Sequence, residues 1–210
     1  VHGGGPRIKR ELDKSNIQSN FIRGLRVTDK IIIDIVERVL IDFNNDIVSS
    51  LEKMGSKAVS INTKKNNIIE VVPEAKELGF VGLPKKINNK ILLDIIKQNR
   101  IPIVSPLGLD ENNQTHNING DTAAMAVAKS LKSRRLLLMT NVDGVLNKEK
   151  KLIAEISSSE ILKMIKDETI NSGMIPKVNA CLTAVNNGGT AAGIINGTTQ
   201  HSCLWEMFSD

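Results

Sequence analysis

Four stretches of this chain carry residues that could handle an anion. The first, "VHGGGP", sets Gly3, Gly4 and Gly5 ahead of a helix entered through Pro6. Free amides and the helix dipole favour negative charge there, and glycine lets the backbone approach a ligand. A tight strand-to-helix turn explains the same glycines equally well. In the second, "GLRVTD", the guanidinium fork of Arg26 either clamps a carboxylate or lies on the surface of a turn. The third, "NINGDTAAMAVAKS", places Asn117 and Asn119 before a helix whose first face is small: Ala123, Ala124, Ala126 and Ala128. Asp121 in its first turn complements the helix dipole, or orients nearby lysines.

The fourth pairs two segments. "MTNVDGVLN" reads as a strand end and glycine turn at the carboxyl edge of a parallel sheet, where such folds bind ligands. "NSGMIPKV" puts Lys177 just after Pro176 near a helix start, as an exposed cap-region charge or a phosphate partner. No GxxxxGK[ST] stretch occurs, which excludes a Walker-type loop. HRD and DFG motifs are missing too. Without a cysteine nucleophile, metal cluster or Ser-His-Asp set, the inventory suits phosphoryl transfer by positioning and charge neutralisation.

These residues need a scaffold of alternating helices and short β-branched runs. Residues 6–20 read as a helix, followed by a strand and turn in "FIRGLRVTD". Thr28 is a good N-cap for "DKIIIDIVERVLIDF", where Ile32, Ile35, Val36, Val39 and Leu40 recur at helical spacing. A further helix runs over 44–54 and stops at Gly55. "KAVSI", "NIIEVV" and "IPIVSPLG" read as strands, "LGFVGLP" as a turn-rich extended stretch, and 87–98 and 119–130 as helices. "RRLLLMTNVDGVL" is a strand entering a loop, two helices surround "NSGMIPKV", and "AAGIING" closes as a strand. The pattern is α/β with a largely parallel sheet, and no linker divides it.

Of the residues, 40% are hydrophobic, yet four Phe and one Trp are the only large aromatics, so the core rests on Ile, Leu, Val and Ala. Asn, Lys and Ile are abundant, a bias attributable to genome composition. The net charge is +5, but Lys64–Lys65, Lys85–Lys86 and Lys148–Lys150–Lys151 are dispersed in polar surroundings without stacking aromatics. They read as solvated lysines, not a nucleic-acid surface. Cys181 and Cys203 read as free thiols, with Cys181 in the core. No apolar run approaches the roughly 18 residues of a membrane span, so a soluble, cytoplasmic protein is expected.

Together the motifs resemble the N-acetylglutamate kinase branch of the amino-acid kinase family. "VHGGGP", "GLRVTD", "LGFVG", "IPIVSPLG", "NINGDTAAMAVA", "MTNVDGVLN" and "SGMIPKVNACLTAV" occur in that order over nearly the whole chain. The resemblance implies an open αβα sandwich forming one kinase domain. Residues 1–110 would bind N-acetyl-L-glutamate and form a homodimer, and 111–210 would bind ATP with Mg²⁺. The γ-phosphoryl would pass to the side-chain carboxylate of N-acetylglutamate, the second step of the acetylated route to arginine. Glutamate, aspartate, carbamate or UMP as acceptor is the nearest alternative, and a non-catalytic regulatory subunit is another.

Carried over by position, the amides of Gly4 and Gly5 would meet the substrate and the transferring phosphoryl, and Arg26 and Asn117 would hold the α-carboxylate and neighbouring groups. Lys177 would stabilise the transferring phosphoryl, and Asp121 would orient the catalytic lysines. Asn141, Val142, Asp143, Gly144, Val145 and Leu146 would line the nucleotide site, with Thr169, Ile170 and Asn171 near it. "INGTTQHSCLWEMF" resembles the end of the arginine-inhibited, hexameric branch, which makes His201 and Glu206 regulatory candidates. The bland alternative is an amphipathic helix with Leu204 and Phe208 on the core and Glu206 solvated.

Three departures shape the expectations. The family's KxGG strand and its lysine would lie ahead of Val1, the chain stops before a glycine-containing tail, and "SINTKKNN" replaces an "SGKDG"-like loop. The chain is accordingly expected to be a piece of a longer protein, with negligible kinase activity by itself.

Overall fold

The computed structural model describes residues 1–170, 173–189 and 191–208. Two compact units emerge, Val1–Leu131 and Lys132–Asp210. The first unit contains helix α1 (Gly5–Lys14), strands β1 (Phe21–Ile22) and β2 (Leu25–Arg26), and helix α2 (Lys30–Lys53). Strands β3 (Ala58–Ile61), β4 (Ile69–Pro73) and β5 (Gly82–Ile87) follow, with a 3₁₀ turn at Lys76–Leu78. Helix α3 (Asn89–Lys97), strands β6 (Ile101–Val104), β7 (Leu107–Leu109) and β8 (Thr115–Asn117), and helix α4 (Gly120–Leu131) complete it.

The strand pairing in this unit is mixed. β3 pairs with β6 in parallel, while the four-stranded sheet β5-β4-β7-β8 joins a parallel β4–β7 contact to antiparallel β4–β5 and β7–β8 ladders. Short connections account for the antiparallel pairs, since a parallel return needs a crossover helix. Between β7 and β8, the Asp110 carboxylate receives the N–H groups of Asn112 and Gln114 and closes the turn. The α/β class expected from the alternating pattern stands, with α2 against β3, α3 against β6 and α4 against β5.

One core cluster joins Val59, Ile61, Ile69, Val71, Leu92 and Val104; a second packs α1 on α2 through Ile8, Leu12, Ile33, Val36 and Leu40. Burying such aliphatic side chains contributes roughly 1.5–3 kcal/mol each before chain entropy is subtracted.

Two boundaries differ from expectation around α2. Its 24 residues form one helix where two were expected. Asn44, read as a new start, is fully buried, and its amide reaches His2 Nε2 at 3.1 Å and donates to the Ile103 carbonyl at 2.9 Å. An amide nitrogen engaged by distant partners does not compete with its own helix. The N-cap is Asp29, whose carboxylate accepts from the Ile32 N–H at 2.8 Å, because Thr28 is committed elsewhere. "IPIVSPLG" likewise splits at Ser105–Pro106 into β6 and β7.

The second unit holds strand β9 (Arg135–Thr140), helices α5 (Ser158–Lys166) and α6 (Ile175–Asn186), strand β10 (Ala191–Asn196) and helix α7 (Ser202–Phe208). β9 and β10 are parallel over six residue pairs, and α6 packs on both. Val145, Ile161, Ile170 and Val178 form its core, with Cys181 buried nearby in α6. Helix exits share a left-handed residue in both units. After α2 and α6 it is Gly55 and Gly188; after α1, α3, α4 and α5 it is Asn16, Asn99, Lys132 and Glu168. Among the described residues no helix is long and apolar enough to cross a membrane.

Candidate active site

The glycine run is held from both ends. His2 donates its backbone N–H to Val104 at the end of β6, and its ring Nδ1 lies 2.8 Å from the Gly3 carbonyl. Nε2 lies 3.2 Å from Ser105 Oγ and also meets Asn44. Burial pushes the imidazole below its usual value, which favours the neutral ring that can accept at Nε2. Gly4 caps α1, and a Cβ there would run into the Leu40 side chain, so close packing on α2 explains that glycine. At Gly3 and Gly5 a Cβ would meet open space. Packing therefore does not require glycine at those two positions.

A second helix start converges there. A Cβ on Gly120 would sit 3.8 Å from Gly3 Cα and from the His2 carbonyl oxygen, which brings the N-terminus of α4 against the glycine run. Asn119 caps α4, accepting from the N–H groups of Asp121 at 3.0 Å and Thr122 at 3.1 Å. Asp121 supplies the first turn's negative charge. α1 has no acidic residue in its first turn, so the positive end of its dipole stays uncompensated by side chains.

Arg26 and Asn117, 91 positions apart by numbering (117 − 26), are joined through Thr28. The buried Thr28 hydroxyl donates to the Arg26 carbonyl at 2.8 Å and lies 3.4 Å from Asn117 Nδ2. The main chain of Thr28 is fixed as well: its N–H donates to Leu78, and its carbonyl accepts from Phe80 at 2.7 Å. Gly79, at φ 67, permits this approach, since a Cβ there would strike the Thr28 carbonyl oxygen. Asn117 donates its own N–H to Phe80, which ties β8 to the same segment. Arg26 is half-buried, which lowers its guanidinium pKa while leaving it a cation. Among the described residues it forms no ion pair with a carboxylate.

The atypical loop is a tight turn. Asn62 Oδ1 accepts from Lys64 and Lys65 N–H, both at 2.9 Å. Glu37 of α2 anchors it, accepting from Thr63 Oγ1 at 2.6 Å and from Thr115 Oγ1 at 2.7 Å, with Lys64 Nζ at 3.4 Å. Burial opposes its ionisation, but both hydroxyls and the lysine outweigh that and hold the carboxyl below its ordinary range. The sequence reading gave Glu37 and His2 no role of their own, and read Thr28 as a helix cap and Asn44 as a helix start. The one available signal was polar identity at apolar-periodic or β positions.

In the second unit, three candidate segments meet in one core. Val145 and Ile170 are buried beside Val178, which adjoins Lys177, so their side chains pack the core. That places Asn141–Leu146, Thr169 and the start of α6 around a common support. Asn141, Val142, Asp143 and Leu146 are exposed; Asp143 accepts from Asn196 Nδ2 at 2.8 Å. Thr169 donates to Asp167 at 2.6 Å, and Asp167 pairs with Lys148. Asn171 lies outside the described residues. Lys177 sits half-buried in the first turn of α6, which has Pro176 at N1/N2 and carries no acidic residue of its own. Two positive sources at one helix end suit an anion.

The bland picture of α7 is reversed. Leu204 and Phe208 are 54% and 79% exposed, whereas a Cβ on Gly193 would lie 2.9 Å from Glu206 Oε1, placing that carboxylate on β10. Arg135 donates to the Glu206 carbonyl at 2.7 Å, and His201, at φ 61, accepts at its carbonyl from Leu204 and Trp205.

The chain belongs to the family described as the amino acid kinase family, which matches residues 1–196. It is 54% identical to the acetylglutamate kinase of Pelagibacter ubique over 210 residues, all of this chain and 73% of that protein. The acetylglutamate kinase of Roseobacter denitrificans is 44% identical over 211 residues, spanning all of this chain and 74% of that one. A solved protein of Streptococcus mutans UA159 superposes with a TM-score of 0.89 at 30% identity, over 95% of this chain and 82% of that chain. The N-acetylglutamate synthase of Neisseria gonorrhoeae, complexed with coenzyme A and N-acetyl-glutamate, reaches 0.87 at 23% identity over 99% of this chain and 48% of that one. That second likeness speaks to the fold alone.

Proposed function

We propose that the chain is the kinase that transfers the γ-phosphoryl of ATP to the side-chain carboxylate of N-acetyl-L-glutamate, in arginine biosynthesis. The observation that carries the reading is the Arg26–Thr28–Asn117 junction, where a cation without a carboxylate partner among the described residues is tied through Thr28 to the Asn117 amide. Arg26 holds the α-carboxylate with its planar fork, and Asn117 holds the neighbouring groups. An oxygen of the side-chain carboxylate forms a bond to the γ-phosphorus. The bond from that phosphorus to the β–γ bridging oxygen breaks, and ADP leaves with the electron pair. The amides of Gly4 and Gly5 receive the phosphoryl oxygens, Lys177 neutralises the charge that builds on them, and Asp121 orients the cationic side chains.

Residues 1–110 form the substrate and dimerisation half, and residues 111–210 carry most of the nucleotide site, with Asn141–Leu146 and Thr169–Asn171 along it. Mg²⁺ is the ion expected with ATP. Among the described residues no group of three or more His, Cys, Asp and Glu could form a protein cage. Mg²⁺ is commonly held on substrate phosphates with one or two carboxylates. The ion offsets phosphate charge when bound. The enzyme works in the cytoplasm as a homodimer, extended to a hexamer if L-arginine inhibits it through His201 and Glu206.

Steady-state kinetics of Arg26→Ala in the catalytically competent protein test the reading. KM for N-acetylglutamate should rise about 10- to 100-fold, as loss of a hydrogen bond to a charged group implies. KM for ATP should stay put. Preferential phosphorylation of glutamate, aspartate, carbamate or UMP would replace the substrate named.

A further inference from the structure

The β1–β2 hairpin pairs Phe21 directly with Arg26 across the two strands. Arg23 and Gly24, both at positive φ, form the turn that sets this register. As a result the guanidinium carbon of Arg26 lies over the Phe21 ring, 4.8 Å from its centre. On its edge, Nη1 donates to the Ser19 hydroxyl. Phe21 is 57% exposed and belongs to neither core cluster of its unit, so burial does not account for an aromatic there. Only four Phe occur in the chain, which makes an exposed one conspicuous.

A free arginine side chain samples many rotamers, and a ligand that needs one of them must bear the cost of ordering it. A ring beneath the guanidinium reduces that cost, because its negative face attracts the cation and its plane restrains the fork. We propose that Phe21 is a positioning residue for substrate binding: its ring holds the Arg26 guanidinium ready to grip the α-carboxylate. The proposal rests on the reading of Arg26 as the carboxylate clamp. Phe21 itself touches no reacting atom in this scheme.

Calorimetric titration of N-acetyl-L-glutamate and, separately, of ATP into the catalytically competent protein tests it, with thermal midpoints recorded for each variant. Arg26→Ala should weaken N-acetylglutamate binding at least tenfold. Phe21→Leu keeps apolar area in the hairpin but lacks the ring's quadrupole, and it should weaken the same binding about two- to fivefold. Phe21→Trp should bind as tightly as the parent, and ATP affinity should be unchanged throughout. Parent-like binding by Phe21→Leu, or a Trp variant as weak as the Leu one, overturns the role of Phe21 while Arg26 stands. Parent-like binding by Arg26→Ala overturns the clamp reading and the Phe21 proposal together. A drop in ATP affinity matching that for N-acetylglutamate marks a general structural effect and also overturns it.

Discussion

The two units solve different physical problems. In Val1–Leu131, Thr28, Asn44, Ser60, Asn62, Ser105, Thr115 and His116 are all below a tenth exposed, and of their buried atoms Asn44 Oδ1 and His116 Nδ1 lack a hydrogen-bond partner among the described residues. In Lys132–Asp210, no polar side chain among the described residues is buried to that degree, and Met139, Leu152, Leu162, Trp205 and Phe208 are at least half exposed. A buried polar network in a low dielectric specifies one arrangement, because a misplaced partner leaves a costly unpaired group. In the function proposed above, that rigidity would serve the binding of a shaped organic acid. The second offers backbone turns and one half-buried lysine on a small aliphatic core, which would suffice, in the function proposed, for a ligand whose own phosphates carry most of the charge.

If that contrast is right, lesions in the two units should separate kinetically. The largest effect is expected for Lys177→Ala in the competent enzyme. kcat should fall about 10²–10³-fold with KM for both substrates nearly unchanged, as for loss of one charge donor at a transition state. A raised KM for N-acetylglutamate at normal kcat would instead put Lys177 in the substrate's ground-state grip and erase the division.

Within the first unit, Gly79→Ala probes how much the polar junction depends on backbone fit. Strain at positive φ costs roughly 1–3 kcal/mol, and the clash with the Thr28 carbonyl adds to it. Urea unfolding should show that loss, with weaker N-acetylglutamate binding. Unchanged stability would mean that the Thr28 segment yields easily.

The smallest expected effect sharpens the contrast through pH. Glu37 titrates below its ordinary 4.5 in the folded chain. Its contribution to stability is thus fully present above 4.5 and is lost as pH falls through the lower folded value. Glu37→Gln should cost about 1 kcal/mol at neutral pH after solvent screening, and parent and variant should converge in acid. Chemical denaturation across pH 3–7 reads this directly, and parallel curves would remove Glu37 as the acid-sensitive tie.

Sequence made the punctuation of the fold legible. Pro6 after the glycines, Asn119 before Gly120, and Pro176 before Lys177 mark helix starts through local chemistry that needs no tertiary partner. Sites with distant partners were not legible. Asn44 looked like a boundary because its partners, His2 and Ile103, are far along the chain. Thr28 looked like a cap because Asn117, which meets its hydroxyl, lies far along the chain. The three-residue β8 carries too few positions for any periodicity to register. Motif membership also hid a division of labour, since Val145 and Ile170 belong to nucleotide-site segments yet direct their side chains into the core.

The helix exits carry a lesson about composition. A Cβ in the left-handed region costs about 1–2 kcal/mol for most residues, and asparagine bears it more lightly than others. Asn16 and Asn99 take that place after α1 and α3, at φ 55 and 52. A vocabulary skewed toward asparagine can therefore still end helices cleanly with little glycine. Lys132 and Glu168 occupy the same left-handed position without asparagine's tolerance. The chain keeps its fold under a biased alphabet by spending the bias where the backbone is most forgiving.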